Sequence, residues 1–206
     1  MLFRSRHAAW QFGSHRGAAI GELIVIAITK HMGASLSWFA VRGKTPEAVL
    51  QGFGLKNVGK EYCKTPFCGG ALPSGWYLVI HGRHEFANDE ARRLSRGCEV
   101  IACFVEEHVM LSSASGWKDG EQIWSVTHDA QEGDGHLEVK GEPPEGFAAV
   151  RDHLTKQQEE EGGADFIFDI PVALVKEITG YRHDERPAIT FDNFVKPTFF
   201  QRVFGR

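Results

Sequence analysis

The chain has few of the features that mark several large classes of protein. It has 8 prolines and 4 cysteines among 206 residues, which excludes a proline-rich or a disulfide-dense scaffold. No apolar run approaches the roughly 20 residues of a membrane span. The formal net charge of -4 argues against a basic surface for a polyanion. We therefore expect a cytoplasmic protein that binds neither nucleic acid nor membrane.

The motifs of nucleotide binding and of common hydrolases are also absent from the sequence. The glycines at 52 and 54 lack the third glycine and the helix of a dinucleotide-binding loop, and no GxxxxGK[ST] motif occurs. The serines near position 113 do not sit in a Gly-x-Ser-x-Gly turn, and there is no HExxH pair. No reaction therefore follows from a motif, and no cofactor is expected apart from a divalent metal ion.

The four cysteines do not form a convincing zinc site. Cys63 and Cys68 have a loose resemblance to one half of such a site, but structural zinc needs a second pair of ligands. Cys98 and Cys103 are five positions apart in a predicted strand, so they point to opposite faces. An ordinary loop around Cys63 and Cys68 is the favoured interpretation.

Residues 1–31 differ in composition from the rest of the chain. Arg4, Arg6 and Arg16 occur with no acidic residue before Glu22, and a short apolar run follows. This extension is either an over-long start, with Met32 as the true first residue, or a targeting segment. Residues 32–206 are expected to form a single domain, because a chain of this length can bury one core.

The strongest strand pattern lies between Cys98 and Asp129. Two apolar runs are separated by a polar break at Glu106–His108, and a turn at 116–120 precedes a third strand. Such closely spaced strands leave no room for crossover helices. The segment is therefore predicted to be a three-stranded antiparallel meander at the centre of the fold.

The remaining patterns place helices before and after this meander. Helix starts are predicted near Thr45, Asn88, Pro143 and Asp169 from N-cap residues, early prolines and early acidic residues. Residues 53–75 look like loop. The order predicts an α+β fold with a mainly antiparallel sheet of about five to six strands and helices packed on one face.

The C-terminal tail is rich in phenylalanine. So many aromatic side chains would form a large exposed apolar patch unless they were covered. They are expected to pack on the sheet of their own chain or to bind a partner. The phenylalanines of this tail are Phe191, Phe194, Phe199, Phe200 and Phe204.

The polar break of the meander contains the first candidates for chemistry. Glu106 and His108, together with His128 at the end of the third strand, are the predicted catalytic residues. A carboxylate beside an imidazole can serve as an acid–base pair. The competing interpretation is that polar residues lie at a hairpin end because water is there.

A second set of candidates lies at predicted strand ends. His81 and His84 follow one strand, and Asp129 follows His128 on another. If these ends meet at one edge of the sheet, His81, His84 and Asp129 could bind a divalent metal ion. Ten histidines also produce chance pairs, which is the alternative explanation.

The sequence leaves two functions open. The first is a non-enzymatic binding or protein-interaction domain, with a protein partner or a second copy of the chain as its ligand. The second is a small enzyme with a His/Glu acid–base or divalent-metal site at the strand ends. The absence of a catalytic signature favours the binding protein.

Overall fold

The computed structural model describes residues 33–60, 66–82, 88–133, 135–161 and 163–197. The predicted extension 1–31, the metal candidate His84 and the tail residues Phe199, Phe200 and Phe204 lie outside these ranges.

Thirteen elements follow one another along the described ranges. The strands are β1 (Ser35–Arg42), β2 (Lys56–Gly59), β3 (Phe67–Ala71), β4 (Tyr77–Gly82), β5 (Glu99–Glu106), β6 (Leu111–Lys118), β7 (Glu121–Asp129), β8 (Glu138–Gly141) and β9 (Asp192–Val195). The helices are α1 (Pro46–Phe53), α2 (Asn88–Leu94), α3 (Phe147–Glu161) and α4 (Asp169–Thr179). No helix in these ranges is long and apolar enough to cross a membrane.

All nine described strands belong to one sheet in the order β2-β9-β3-β4-β1-β5-β6-β7-β8. Every neighbouring pair is antiparallel. The α+β class and the antiparallel sheet are thus confirmed. The predicted meander is also confirmed, because β5, β6 and β7 pair in sequence order.

The predicted count of five to six strands is too low. Two of the missed strands, β2 and β3, lie in the stretch interpreted as loop, and β9 lies in the Phe-rich tail. Each is short, at four or five residues. β9 inserts between β2 and β3, so these strands depend on partners that are distant in sequence rather than on a local apolar alternation.

The helices cover both faces of the sheet, so the prediction of helices on one face is wrong. We call the first face the α4 face; its core includes Trp38 and Cys103 from the sheet and Leu174 from α4. The second is the α1 face, where Phe39 packs with Val49 of α1 and with other buried side chains. The two early helices bury apolar side chains on this second face.

Local capping explains where α1 begins and where α4 ends. The Thr45 side chain accepts a hydrogen bond from the Ala48 N–H at 3.3 Å, which satisfies one of the unpaired donors of the first turn. Gly180 ends α4 in the left-handed region at φ 77°, a conformation that glycine adopts without steric cost. The Thr45 cap agrees with the helix start predicted from the sequence.

The two tryptophans of the meander are buried. Trp124 is 6% exposed and belongs to the same core as Val126, whereas Trp117 is 3% exposed and packs on the α1 face. Trp117 also donates a hydrogen bond from Nε1 to the Ser115 hydroxyl oxygen at 2.9 Å. The turn at 119–120 therefore does not present an exposed tryptophan.

Candidate functional site

The predicted site residues that the structure describes lie along one edge of the sheet, which we call the upper edge. There β4, β5 and β7 end, and β1 and β6 begin. The ends of β4 and β7 therefore share an edge. The strand order nevertheless places β1, β5 and β6 between them. Four strand spacings correspond to about 19 Å.

The structure does not bring His81 and His128 together. His81 pairs with Phe67 across β3 and β4, and the two rings stack with centroids 4.2 Å apart. Phe67 belongs to the α1 face, whereas His128 packs edge-on against Phe168 of the α4 face. His81 and Asp129 are thus too far apart to bind one metal ion. Among the described residues no group of three or more His, Cys, Asp or Glu could hold one.

His128 is fully buried and is hydrogen-bonded through both ring nitrogens. Nδ1 lies 2.7 Å from the His136 carbonyl oxygen, and Nε2 lies 2.9 Å from Oδ2 of Asp165. Oxygen atoms of the protein occupy both ring nitrogens, so the ring has no free nitrogen to offer a substrate. Asp165 also accepts from the Phe168 N–H at 3.1 Å. These contacts join β7 to the segment before α4. We call His128, His136 and Asp165 the His128 clip.

Asp129 caps the turn that follows β7. Its Oδ1 accepts a hydrogen bond from the Gln131 N–H at 2.9 Å, and its own N–H donates to Nδ1 of His136 at 3.0 Å. Such contacts are typical of aspartate at the start of a turn. The structure gives Asp129 a role in holding this loop.

Glu106 and His108 form an exposed pair in the β5–β6 turn. Oε1 of Glu106 lies 2.7 Å from Nδ1 of His108, whose side chain is 55% exposed. Hydrogen bonds from Ser35 and then from His108 hold the pKa of the Glu106 carboxyl below its usual value. The pair therefore has the contact between a carboxylate and an imidazole that acid–base chemistry needs.

Glu107 reaches a histidine that sequence reasoning missed. Oε1 of Glu107 accepts from Nε2 of His183 at 3.2 Å, and Oε2 accepts from the Ala34 N–H at 2.7 Å. The His183 side chain is 2% exposed and that of Glu107 is 31% exposed. Since 76 positions separate Glu107 from His183, no local pattern could reveal this contact.

His183 belongs to a buried group of three rings on the α4 face. Its ring and that of Tyr181 each lie 5.6 Å from the Trp38 ring between centroids. Burial raises the pKa of the Tyr181 hydroxyl, and the nearby Cys68 and Cys103 raise it further. We call Trp38, Tyr181 and His183 the buried triad. Its imidazole is oriented by a carboxylate, as in a general base, but a substrate cannot reach it in this conformation.

The neighbouring thiols are not reactive nucleophiles. Burial raises the pKa of the Cys68 thiol to about 12 and raises that of Cys103 well above its usual value. The thiolate is the nucleophilic form of cysteine, so groups of this kind are inert near neutral pH. Cys98 is also buried, and its thiol donates to the Leu94 carbonyl oxygen.

A different feature lies on the α1 face, over strands β5 to β8. Two rows of side chains cross β5 to β8 there, and the central members of both rows are partly exposed. They border a concavity of about 260 Å³ that reaches the start of α2. We call this the open face. Its rows are Phe104–Ser113–Thr127–Glu138 and Ala102–Ser115–Ser125–Lys140.

The open face differs chemically from the remainder of the α1 face. Beneath α1 and α2 the sheet presents large apolar side chains such as Phe39 and Val79. On β6 and β7 the corresponding positions are hydroxyl-bearing, at Ser113, Ser115 and Ser125. Hydroxyl groups can both donate and accept hydrogen bonds. Sequence reasoning missed this surface because serine occurs on both faces of β6.

Comparison with protein-family models, with curated proteins and with solved structures gives no match.

Proposed function

We propose that this protein is a non-enzymatic binding protein whose partner is another protein, and that the open face is its binding surface. The observation that carries the proposal is that α1 and α2 cover only part of the α1 face of the sheet. Apolar side chains lie under α1 and α2, whereas short polar side chains occupy the strands beyond them.

The composition of the open face suits protein recognition. Short side chains such as Ser113 and Ser115 lose little rotamer freedom when a partner orders them. Phe104 supplies a partly exposed aromatic ring beside them, and aromatic groups often anchor interfaces. Serine hydroxyls around an aromatic anchor combine adaptable hydrogen bonding with apolar contact.

The charges at the rim also favour a protein partner. Glu138 and Lys140 on β8 form an ion pair at 2.7 Å, with the two side chains 51% and 67% exposed. One charge of each sign produces no net field for a polyanion. The distance from β5 to β8 is about 14 Å, or three strand spacings, which fits a loop or a strand-like segment of a partner.

The experiment places a photo-crosslinking amino acid at Ser115 in cells that produce the protein. We expect one protein to be crosslinked at this position and not at Glu177, an exposed position on α4 across the sheet. The crosslinked partner is then purified and its affinity is measured by titration calorimetry. A crosslink to a second copy of this chain would identify a homo-oligomer as the complex.

A second step tests whether the surface determines the affinity. Ser115 and Ser125 are directly opposite each other on β6 and β7, so a Ser115→Arg/Ser125→Arg variant fills the open face with bulk and like charge. We expect the dissociation constant to rise more than tenfold, because charge at the centre of an interface is costly. Glu177→Arg is the matched control and should bind normally. Equal affinity of the three proteins would reject the open face.

The alternative function is a small enzyme with an acid–base or divalent-metal site. The observation in its favour is the exposed Glu106–His108 pair. Binding of Zn²⁺ or Mn²⁺ to the purified protein, measured by calorimetry, tests it directly. A stoichiometric site that is lost in His108→Ala would support the enzyme, and no heat of binding in either protein would leave this alternative without its site.

A further inference from the structure

The buried triad contains three polar atoms with no hydrogen-bond partner in the described structure. These atoms are Nε1 of Trp38, the hydroxyl of Tyr181 and Nδ1 of His183. The three residues are 0%, 3% and 4% exposed. A buried polar group without a partner costs free energy, so three in adjacent rings call for an explanation.

The rings of Tyr181 and His183 both pack against the Trp38 ring over the sheet. Trp38 projects from β1 on the α4 face, in register with Ile80 and Cys103 on the neighbouring strands. Tyr181 meets the indole edge-on at 85°, and His183 meets it at 33°. Both come from the segment directly after α4, so a single stretch of chain packs two of the residues with unpaired atoms against the third.

The segment is held in place from its outer side. Arg182, which lies between Tyr181 and His183, donates to Asp169 at 2.6 Å and to Asp184 at 2.6 Å. The Glu107 carboxylate holds the opposite ring nitrogen of His183. These contacts oppose a rotation of the segment that would expose the unpaired atoms to solvent.

The hydrogen-bonding capacity of the three atoms is complementary to that of one water molecule. The indole N–H of Trp38 can only donate, and the Tyr181 hydroxyl can do both. Nε2 of His183 faces the Glu107 carboxylate, and in the tautomer whose Nε2–H donates to that carboxylate Nδ1 is an acceptor. A water molecule would accept from Trp38, donate to His183 and exchange a hydrogen bond with Tyr181. Buried waters typically make about three such bonds.

We infer that the buried triad binds a single internal water molecule that links the segment after α4 to strand β1. This site is separate from the open face, and its existence does not depend on the proposed function. The water acts as a structural ligand, because it supplies the hydrogen bonds that the protein does not.

Tyr181→Phe tests the inference through the sign of its effect. If the hydroxyl is bonded to water, its removal breaks a buried hydrogen bond and the equilibrium constant for folding falls by about tenfold. If the hydroxyl has no partner, its removal relieves an unpaired polar group and the constant rises. The constant is measured by urea denaturation of the full chain. An unchanged or a higher value would overturn the inference.

Nuclear magnetic resonance of the unmodified protein supplies a second test that does not depend on a variant. The Trp38 indole N–H should show a cross-peak at the water frequency with the sign of a long-lived bound water. The Trp76 indole N–H is the internal control, because it donates to the Ile178 carbonyl oxygen at 3.1 Å. A water cross-peak at Trp38 and none at Trp76 is the expected result. Absence of the cross-peak at Trp38 would reject the site.

Discussion

Replacing His128 by leucine is expected to lower the free energy of unfolding by about 3 kcal/mol, because it breaks a buried polar assembly. The change removes the contacts of both ring nitrogens, with the His136 carbonyl oxygen and with the Asp165 carboxylate. Leucine fills a similar volume, so the loss comes mainly from acceptors left without partners. Urea denaturation measures the free energy directly, and the melting temperature should fall by about 9 °C.

His108→Leu is the matched control for this prediction. His108 makes a contact of the same kind, with Glu106 at 2.7 Å, but its side chain is 55% exposed. Water replaces the lost partner there, so the change should be within about 0.5 kcal/mol. If both variants lose the same free energy of unfolding, the burial of His128 does not matter. That result would contradict the structural role assigned to the His128 clip.

Asp165→Asn should have a smaller effect than His128→Leu. The asparagine Oδ1 can still accept from the Phe168 N–H, and its amide NH2 group takes the place of the Oδ2 that faces Nε2 of His128. An imidazole whose Nδ1–H donates to the His136 carbonyl can accept from that NH2 group through Nε2, so we expect a loss of about 1 kcal/mol. If the asparagine variant loses as much as the leucine variant, the stabilisation is chiefly ionic rather than due to hydrogen bonding.

The sequence was sufficient to predict the part of the fold whose contacts are local. β5, β6 and β7 follow one another through tight turns, so their apolar alternation and their partners are visible together. β9 has no neighbouring strand close to it in the sequence, because it pairs with β2. One hydrogen bond across that pair joins Asn57 to Asp192, which are 135 positions apart. A four-residue strand of this kind is specified by its distant neighbours.

The candidate site was less predictable because strand order is not a local property. Periodicity predicted that His81 and His128 lie at strand ends, but it could not show that three strands separate them. The contacts that do form, such as Glu107 with His183 and His128 with Asp165, join segments that are far apart in the chain.

The open face could not be predicted for a different reason. A strand with one buried and one exposed face normally alternates between apolar and polar residues. On β6 the buried positions include Ser112 and Gly116, and the partly exposed positions include Ser113 and Ser115. Because small residues occur on both faces of β6, the sequence shows no alternation of apolar and polar residues. Without that alternation, the face to which each side chain points cannot be predicted. Ser112 can be buried at little cost because its hydroxyl donates a hydrogen bond to the Phe168 carbonyl oxygen at 2.7 Å.

Gly69→Ala is expected to destabilise the protein by about 3 kcal/mol, at the upper end of the usual cost of overpacking. A Cβ atom at Gly69 would lie 2.0 Å from the Leu78 carbonyl oxygen and 3.2 Å from the Phe194 ring. The oxygen belongs to the backbone of β4, so no side-chain rotation can relieve the contact. β3 would have to move away from β4, and β9 pairs with β3 on its other side.

Gly82→Ala provides the control, because it makes the same chemical change at the end of the adjacent strand. Among the described residues no atom lies within 4 Å of a Cβ built at Gly82, so the free energy of unfolding of this variant should change by less than about 0.5 kcal/mol. Hydrogen exchange gives a second measure, since Gly69→Ala should speed exchange of the β9 amides more than those of β6. Uniform acceleration across the sheet would show that β3 is not displaced locally. A Gly69→Ala protein as stable as Gly82→Ala would contradict the close approach of β3 and β4.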